Sequence, residues 1–298
     1  MENRPIILVI DFANIIFSGF YAKDDDTNNV NAVIVFFKRL RSLKQMFDPK
    51  YIVFAEDMGR NNTFRRKMYP PYKAQRKPMD PIIAKQMGII RALVKELGFA
   101  HIGNELYEAD DIIGMTSRWG IDNGYDTVIA SSDRDMYQLI SENVYVSSPK
   151  NSDLITLDTM QMEYKLTPEQ WIDLKILQGD GSDNIPGIRG IGHNTALSLM
   201  QQFGSIDNIY NNLDMIKPGF RNKLIAGKGD IPLMRDLVTI LTDYTLIDLK
   251  EEKLRRYMPI YENVESLLYE YKLMPSLGSV MEYSIYPQED EKMEVFSL

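Results

Sequence analysis

The chain contains no cysteine, so disulfides and thiolate metal sites are excluded from the outset. Histidine is almost as scarce. Only His101 and His193 occur, far apart, which argues against zinc hydrolase chemistry built on several imidazoles. Long apolar runs are missing as well. The first, residues 6–10, is too short for the core of a signal peptide and far too short to span a bilayer. A cytoplasmic protein with no membrane partner is therefore expected.

Carboxylates, in contrast, are plentiful. The 298 residues include 42 Asp and Glu against 34 Lys and Arg, giving a net charge of −8. With 44% hydrophobic residues there is ample core for one large domain or two closely packed ones. Any catalytic metal should then be a hard, oxygen-seeking ion, magnesium or manganese. An acidic total speaks against nucleic acid as a partner, because phosphate affinity comes from basic surface. The distribution of charge points the other way. Residues 58–79 carry Arg60, Arg65, Arg66, Lys67, Lys73, Arg76 and Lys77 without a single acid. If the acids singled out below share one pit, the remaining surface is close to neutral.

The first half alternates apolar β-rich runs with helical periodicity. Residues 6–10, 51–55 and 126–130 read as strands, and 30–47, 81–97 and 109–119 as helices. This alternation predicts a parallel α/β sheet covered on both faces. Asp11, Asp57 and Asp133 follow the predicted strands, where open α/β sheets bind ligands beyond the carboxyl ends. From about residue 159 the chain turns helical, at 168–178, 194–203 and 233–241. The expected division is therefore 1–158, an α/β metal-binding domain with a basic arch at about 59–80, and 159–298, a helical region. Residues 283–298 read as a loose end.

Three acidic motifs stand out. Glu108, Asp110 and Asp111 open a helix, and capping alone would need only one or two acids there. Asp133 and Asp135 form a D-x-D after a strand, and Asp180 and Asp183 lie in the turn-rich stretch 179–187. The glycines that follow, Gly187, Gly190 and Gly192, precede a helix whose N–H groups suit phosphate contact. Phe64, Tyr69 and Tyr72 interleave the basic run, a mixture suited to phosphates and bases.

Taken in order, these motifs resemble the 5′-nuclease family: flap endonucleases, the 5′→3′ exonuclease domain of bacterial DNA polymerase I, and stand-alone phage enzymes. Glu108-Ala109-Asp110-Asp111 is similar to its E-A-D-D, Asp133-Arg134-Asp135 to its D-x-D, and residues 179–187 to its G-D-x-S-D-N-I-P-G. Phe64, Arg65, Tyr72, Lys73 and Arg76 resemble its basic arch, and residues 179–205 its helix–three-turn–helix. The resemblance covers about residues 6–245, and without a polymerase-length extension the phage type is the nearer likeness.

It implies a PIN-like α/β nuclease hydrolysing phosphodiester bonds at DNA 5′ ends, flaps or nicks, or at RNA primers paired to DNA. A monomer working beside replication proteins is expected. Asp11, Asp57, Glu108, Asp110, Asp111, Asp133, Asp135, Asp180 and Asp183 would hold two Mg²⁺ ions, with Mn²⁺ able to substitute. Lys73 and Arg76 would serve the reaction beside Asp11 and Asp133. Arg65, Arg66, Tyr72, Gly190, Gly192, Asn194 and Thr195 would contact DNA, with Tyr72 stacking on a base. Phe12 and Ser18 stand where the family has Gly and Arg, and Asn194 where it has Lys. An apparent extra residue between Asp57 and Phe64 leaves Glu56 as the alternative to Asp57. A PIN-like ribonuclease would explain the strand-end acids but not the arch. A non-catalytic DNA-binding protein would not need clustered acids.

Overall fold

A computed structural model describes residues 4–21, 30–58, 62–148, 153–281 and 285. The tail reading for 283–298 and the first residues of the arch, 59–61, fall outside these, apart from Ile285. The chain opens with β1 (Ile6–Asp11), α1 (Phe12–Phe20), α2 (Asn31–Phe47), β2 (Tyr51–Asp57), α3 (Phe64–Met68) and α4 (Pro81–Glu96). It continues through β3 (Ala100–Asn104), α5 (Ala109–Asp122), β4 (Asp126–Ala130), β5 (Val144–Ser147) and β6 (Leu154–Ile155). The sheet order is β3-β2-β1-β4-β5-β6, parallel except for the β5–β6 pair. The expected parallel sheet is present, with β3, β5 and β6 added to the strands read from sequence.

Alternation along the strands assigns each residue to one of two cores. Leu8, Ile10, Ile52, Phe54, Val128 and Ala130 face a layer containing α1, α2 and α4. Ile7, Val9, Val53, Ala55 and Ile129 face the opposite layer, where α5 lies. Phe12, Phe36, Phe37 and Phe54 are fully buried in the first layer. Each such ring contributes on the order of 1.5–3 kcal/mol of hydrophobic stabilisation.

The helical remainder comprises α6 (Leu157–Glu163), α7 (Pro168–Gln178), α8 (His193–Phe203), α9 (Ile206–Asn211), α10 (Pro218–Gly227), α11 (Ile231–Val238), α12 (Glu251–Leu254), α13 (Tyr261–Glu270) and α14 (Met274–Val280). The start of α7 is set by Thr167, whose hydroxyl accepts from Gln170 N while Gln170 Oε1 accepts from Thr167 N, with Pro168 in the first turn. After α7 the chain doubles back at Gly179 and Gly187, both with positive φ. A Cβ on Gly187 would lie 2.3 Å from Gly179 N, so only glycine fits this back-to-back approach. Helices α13 and α14 return to the first layer, where Val264, Leu268, Leu273 and Leu277 join the core of Phe36 and Phe54. Among the described residues no helix is long and apolar enough to cross a membrane.

Candidate active site

Strand parity decides which acids meet. Asp11 continues the Ile7–Val9 face of β1, and Asp57 continues the Val53–Ala55 face of β2. Both carboxylates therefore reach the α5 side. Glu56 points into the opposite layer, where it is buried and paired with Arg91 and His101. The ambiguity between Glu56 and Asp57 resolves in favour of Asp57 as the residue at the crevice.

Asp11 accepts from Asn14 N at 3.1 Å and Ser131 Oγ at 2.8 Å, which joins β1 to the end of β4. Asp57 accepts from Ala109 N at 2.7 Å, fixing the start of α5 against β2. Asp133 accepts from Asp135 N at 2.9 Å. Asp110 rises from the first turn of α5 into the same space. Burial, reinforced by the Asp57 and Asp133 charges, pushes the Asp11 carboxyl up to about 7 despite its hydrogen bonds. Burial raises Asp110 well above its ordinary value, and Asp11, Asp133 and Asp57 add to it, against an opposing pull from Lys73. Asp57 is raised as well, by desolvation with Glu108 adding and Lys73 and Arg76 opposing, although the residue is exposed at the mouth of the crevice. None of these four acids has a lysine or arginine at ion-pair distance among the described residues.

The remaining predicted acids are already partnered. Arg65, 2% exposed, donates to Asp111 through two bonds of 2.6 and 2.7 Å, to Glu108 at 3.1 Å, and to the carbonyls of Leu237 and Thr239. It has no donor left for DNA. The expectation that Arg65 contacts phosphate gives way to an internal role, binding α3 to α5 and to the end of α11. Asp111, fully buried and also accepting from Leu241 N, faces Arg65 rather than the crevice.

Tyr72, expected to stack on a base, is instead 3% exposed. Its hydroxyl donates to Glu108 Oε2 at 2.8 Å and Asp183 Oδ2 at 3.2 Å. A ring held that way offers no face to a nucleotide. Lys73 Nζ lies 2.7 Å from Glu108 Oε1 and 3.5 Å from Asp183 Oδ2, and Arg76 lies 2.5 Å from Asp183 Oδ1. Arg66 is half-buried on α3, with no acid partner among the described residues. The arch is sewn to the 179–187 turn: Lys73 N donates to Asp183 O at 2.9 Å, Gln75 Nε2 to the Gly181 and Ser182 carbonyls, and Asn184 Nδ2 to Pro71 O.

Sequence reasoning does not single out Lys175 on α7. Its ammonium bridges Asp135 Oδ1 at 2.7 Å and Asp180 Oδ2 at 2.6 Å. Burial alone would raise Asp180, but the Lys175 and Ser182 bonds outweigh it and hold that carboxyl down to about 2. Burial lifts Asp135 to about 6, against the pull of Lys175. A lone lysine between Leu174 and Ile176, five positions before Asp180, is the only signal the sequence offers. Asn14 escapes sequence reasoning too. It accepts from Ser132 N and Oγ, and with Asp133, Asp135, Lys175, Asp180 and Asp183 it lines a cavity of about 390 Å³. A larger cavity of about 1030 Å³ lies against the Arg91 and His101 side chains of the other layer.

Among the described residues, no three acidic or imidazole side chains stand ready to hold a metal ion. Arg65, Lys73, Arg76 and Lys175 draw five of the nine acids to themselves. The four that repel one another supply only carboxylate oxygens, the donor set of a hard divalent cation.

The second expected contact region lies at α8. Gly192 caps the helix, with His193 and Asn194 exposed and Thr195 half-buried behind them. Gly190 takes a positive φ, and Lys223 from α10 donates to its carbonyl at 3.0 Å, bringing a cation to the turn.

The match to known proteins covers most of the chain. Residues 6–166 match the model of the 5′-3′ exonuclease N-terminal resolvase-like domain, and 166–260 that of the 5′-3′ exonuclease C-terminal SAM fold. A 5′-3′ exonuclease of Halalkalibacterium halodurans is 33% identical over 262 residues, spanning 82% of this chain and 86% of that one. The thermostable DNA polymerase I of Thermus aquaticus is 34% identical over 299 residues, spanning 97% of this chain. The chain covers only 36% of that polymerase. Among solved structures, bacteriophage T5 5′-exonuclease with bound zinc aligns at a TM-score of 0.66 and 20% identity, covering 89% of this chain and 99% of that one. A T5 flap endonuclease complex with DNA and metal ions aligns at 0.63 and 20%, covering 90% and 99%. At that identity the two structures establish a shared fold.

Proposed function

The chain belongs to the 5′-3′ exonuclease family, and from that premise we propose that it is a divalent-metal-dependent nuclease cutting DNA near a free 5′ end, flap or nick. The observation that carries this reading is the convergence of Asp11, Asp57, Asp110 and Asp133 from three parallel strand ends and one helix start. Burial raises Asp11, Asp57 and Asp110, a nearby acid adds to each, and among the described residues no lysine or arginine forms an ion pair with them. Such a group is tolerable when cations neutralise it. Two Mg²⁺ ions suit it, with Mn²⁺ as a substitute. Metal bound there would activate the attacking water and stabilise the leaving 3′-oxygen.

The protein's own side chains divide the remaining work. Lys73 and Arg76 bond to Glu108 and Asp183 at the crevice edge, and a phosphate would compete for the same donors. Their charge would then lie where negative charge develops in the transition state. Arg66, half-buried on α3, would meet the incoming strand. Gly190, Gly192, Asn194 and Thr195 at the start of α8, with Lys223 beside them, offer backbone N–H groups and one cation to duplex phosphates. Such contacts read no sequence, so recognition would rest on the 5′ end and the duplex, in DNA or in RNA–DNA hybrid.

The test is cleavage of a 5′-flapped or nicked duplex labelled separately at each end, with Mg²⁺ and then with EDTA. Short products from the 5′ strand that vanish with EDTA support the proposal, and their lengths separate exonuclease from flap cutting. Binding without cleavage in Mg²⁺ or Mn²⁺ would point to a purely structural DNA-binding role.

A further inference from the structure

Lys175 reaches the crevice from the buried face of α7. The residue is 8% exposed, and its ammonium lies between Asp135 and Asp180 on a stem flanked in sequence by the fully buried Leu174, Ile176 and Leu177. Packing of those neighbours fixes the origin of the side chain, while its head meets the 390 Å³ cavity. Asp180 is held further by Ser182 N at 2.8 Å and Ser182 Oγ at 2.6 Å. The crevice therefore has two electrostatically different halves. Asp135 and Asp180 share one built-in positive charge, whereas Asp11, Asp57, Asp110 and Asp133 have none in contact among the described residues.

Resting on the metal-dependent reading, we propose that Lys175 is an internal cation that makes the two halves unequal toward divalent ions. The Asp11 half takes an ion directly. The Asp135–Asp180 half takes one only in competition with the ammonium, because a divalent ion and a lysine cannot share two carboxylates without strong repulsion. Occupancy of that half is then coupled to displacement of the lysine head from between Asp135 and Asp180. Lys175 acts through Asp135 and Asp180, so it is a positioning residue.

Mn²⁺ binding to the full chain without DNA, followed by electron paramagnetic resonance and calorimetry, tests this. The wild-type protein should show one tight site and a second weaker by roughly tenfold or more. Lys175→Met should bring the second site to within a few-fold of the first, while Lys175→Arg keeps the gap. A generally disturbed structure would weaken both sites and would not be rescued by arginine. Two equal sites in the wild type would overturn the proposal, as would an unchanged second site in a folded Lys175→Met protein. Should Lys175→Met fail to fold by circular dichroism, Lys175→Gln, which keeps a polar head without the charge, takes its place with the same expected narrowing of the gap. Absence of any Mn²⁺ binding by the wild type would instead remove the metal-dependent reading beneath it.

Discussion

Arg65 grips Asp111 through two parallel hydrogen bonds, 2.6 and 2.7 Å long, in a space from which both side chains are almost wholly excluded from solvent. A bidentate pair of this kind leaves a buried charge behind when one partner is removed. Asp111→Ala should therefore destabilise the fold by about 3–5 kcal/mol, read as a lower urea midpoint. Unchanged stability with weakened Mn²⁺ binding would return Asp111 to the set of metal ligands.

Asp110 presents the opposite case, a carboxyl that burial and its acidic neighbours push toward the neutral form. Asp110→Asn should abolish cleavage while the metal-free protein unfolds at the same temperature as wild type or a few degrees higher. The expected gain is about 1 kcal/mol, from relieved repulsion. A large loss of metal-free stability would mean that Asp110 has a structural partner.

Divalent ions should stabilise the folded chain by mass action. At an ion concentration a hundred times the dissociation constant, the gain is about 2.7 kcal/mol for one site. Thermal unfolding in Mg²⁺ and in EDTA measures it, and Asp11→Asn should shrink the difference. Identical melting curves in the two buffers would speak against an ion in the crevice.

The Tyr72 hydroxyl spans Glu108 and Asp183, so Tyr72→Phe should cost about 1–3 kcal/mol of stability and leave affinity for flapped DNA unaltered. Wild-type stability of Tyr72→Phe would show that the bridge from the hydroxyl to Glu108 and Asp183 carries no weight in the fold.

Gly187 has φ of +60° and no room for a side chain against Gly179. Gly187→Ala should destabilise by about 1–3 kcal/mol from backbone strain alone, with steric displacement adding to it. Chemical denaturation checks this, and a neutral substitution would show that the turn can open without loss.

Much of the fold is legible in the sequence, for identifiable reasons. β1, β2 and β4 are apolar runs of the kind a doubly covered parallel sheet requires, and each leads into an acid. β3, with Gly103 and Asn104, and the two-residue β6 lack that pattern; pairing with β2 and β5 makes them strands. The acids are visible because they recur in short motifs. Their partners are not. Arg65 and Asp111 are 46 residues apart, and a basic run gives no sign that one member turns fully inward while Arg66 stays only half-buried. Lys175 escapes notice because one lysine on a helix of mixed composition has no local signature of a partner contributed by the D-x-D loop. The Glu56–Asp57 choice needs the strand's alternation, which follows once its register is known.

The seam between residues 72–76 and 181–184 carries one more implication. The arch reaches the crevice with Lys73, and the turn it is sewn to leads straight into α8, the proposed hold on the duplex. Grip and blade would then be set at one span, as in a pair of callipers. A nuclease built so would measure its cut from the duplex rather than from the free end. Product length would follow the geometry of that seam, whatever the length of the single strand passing through.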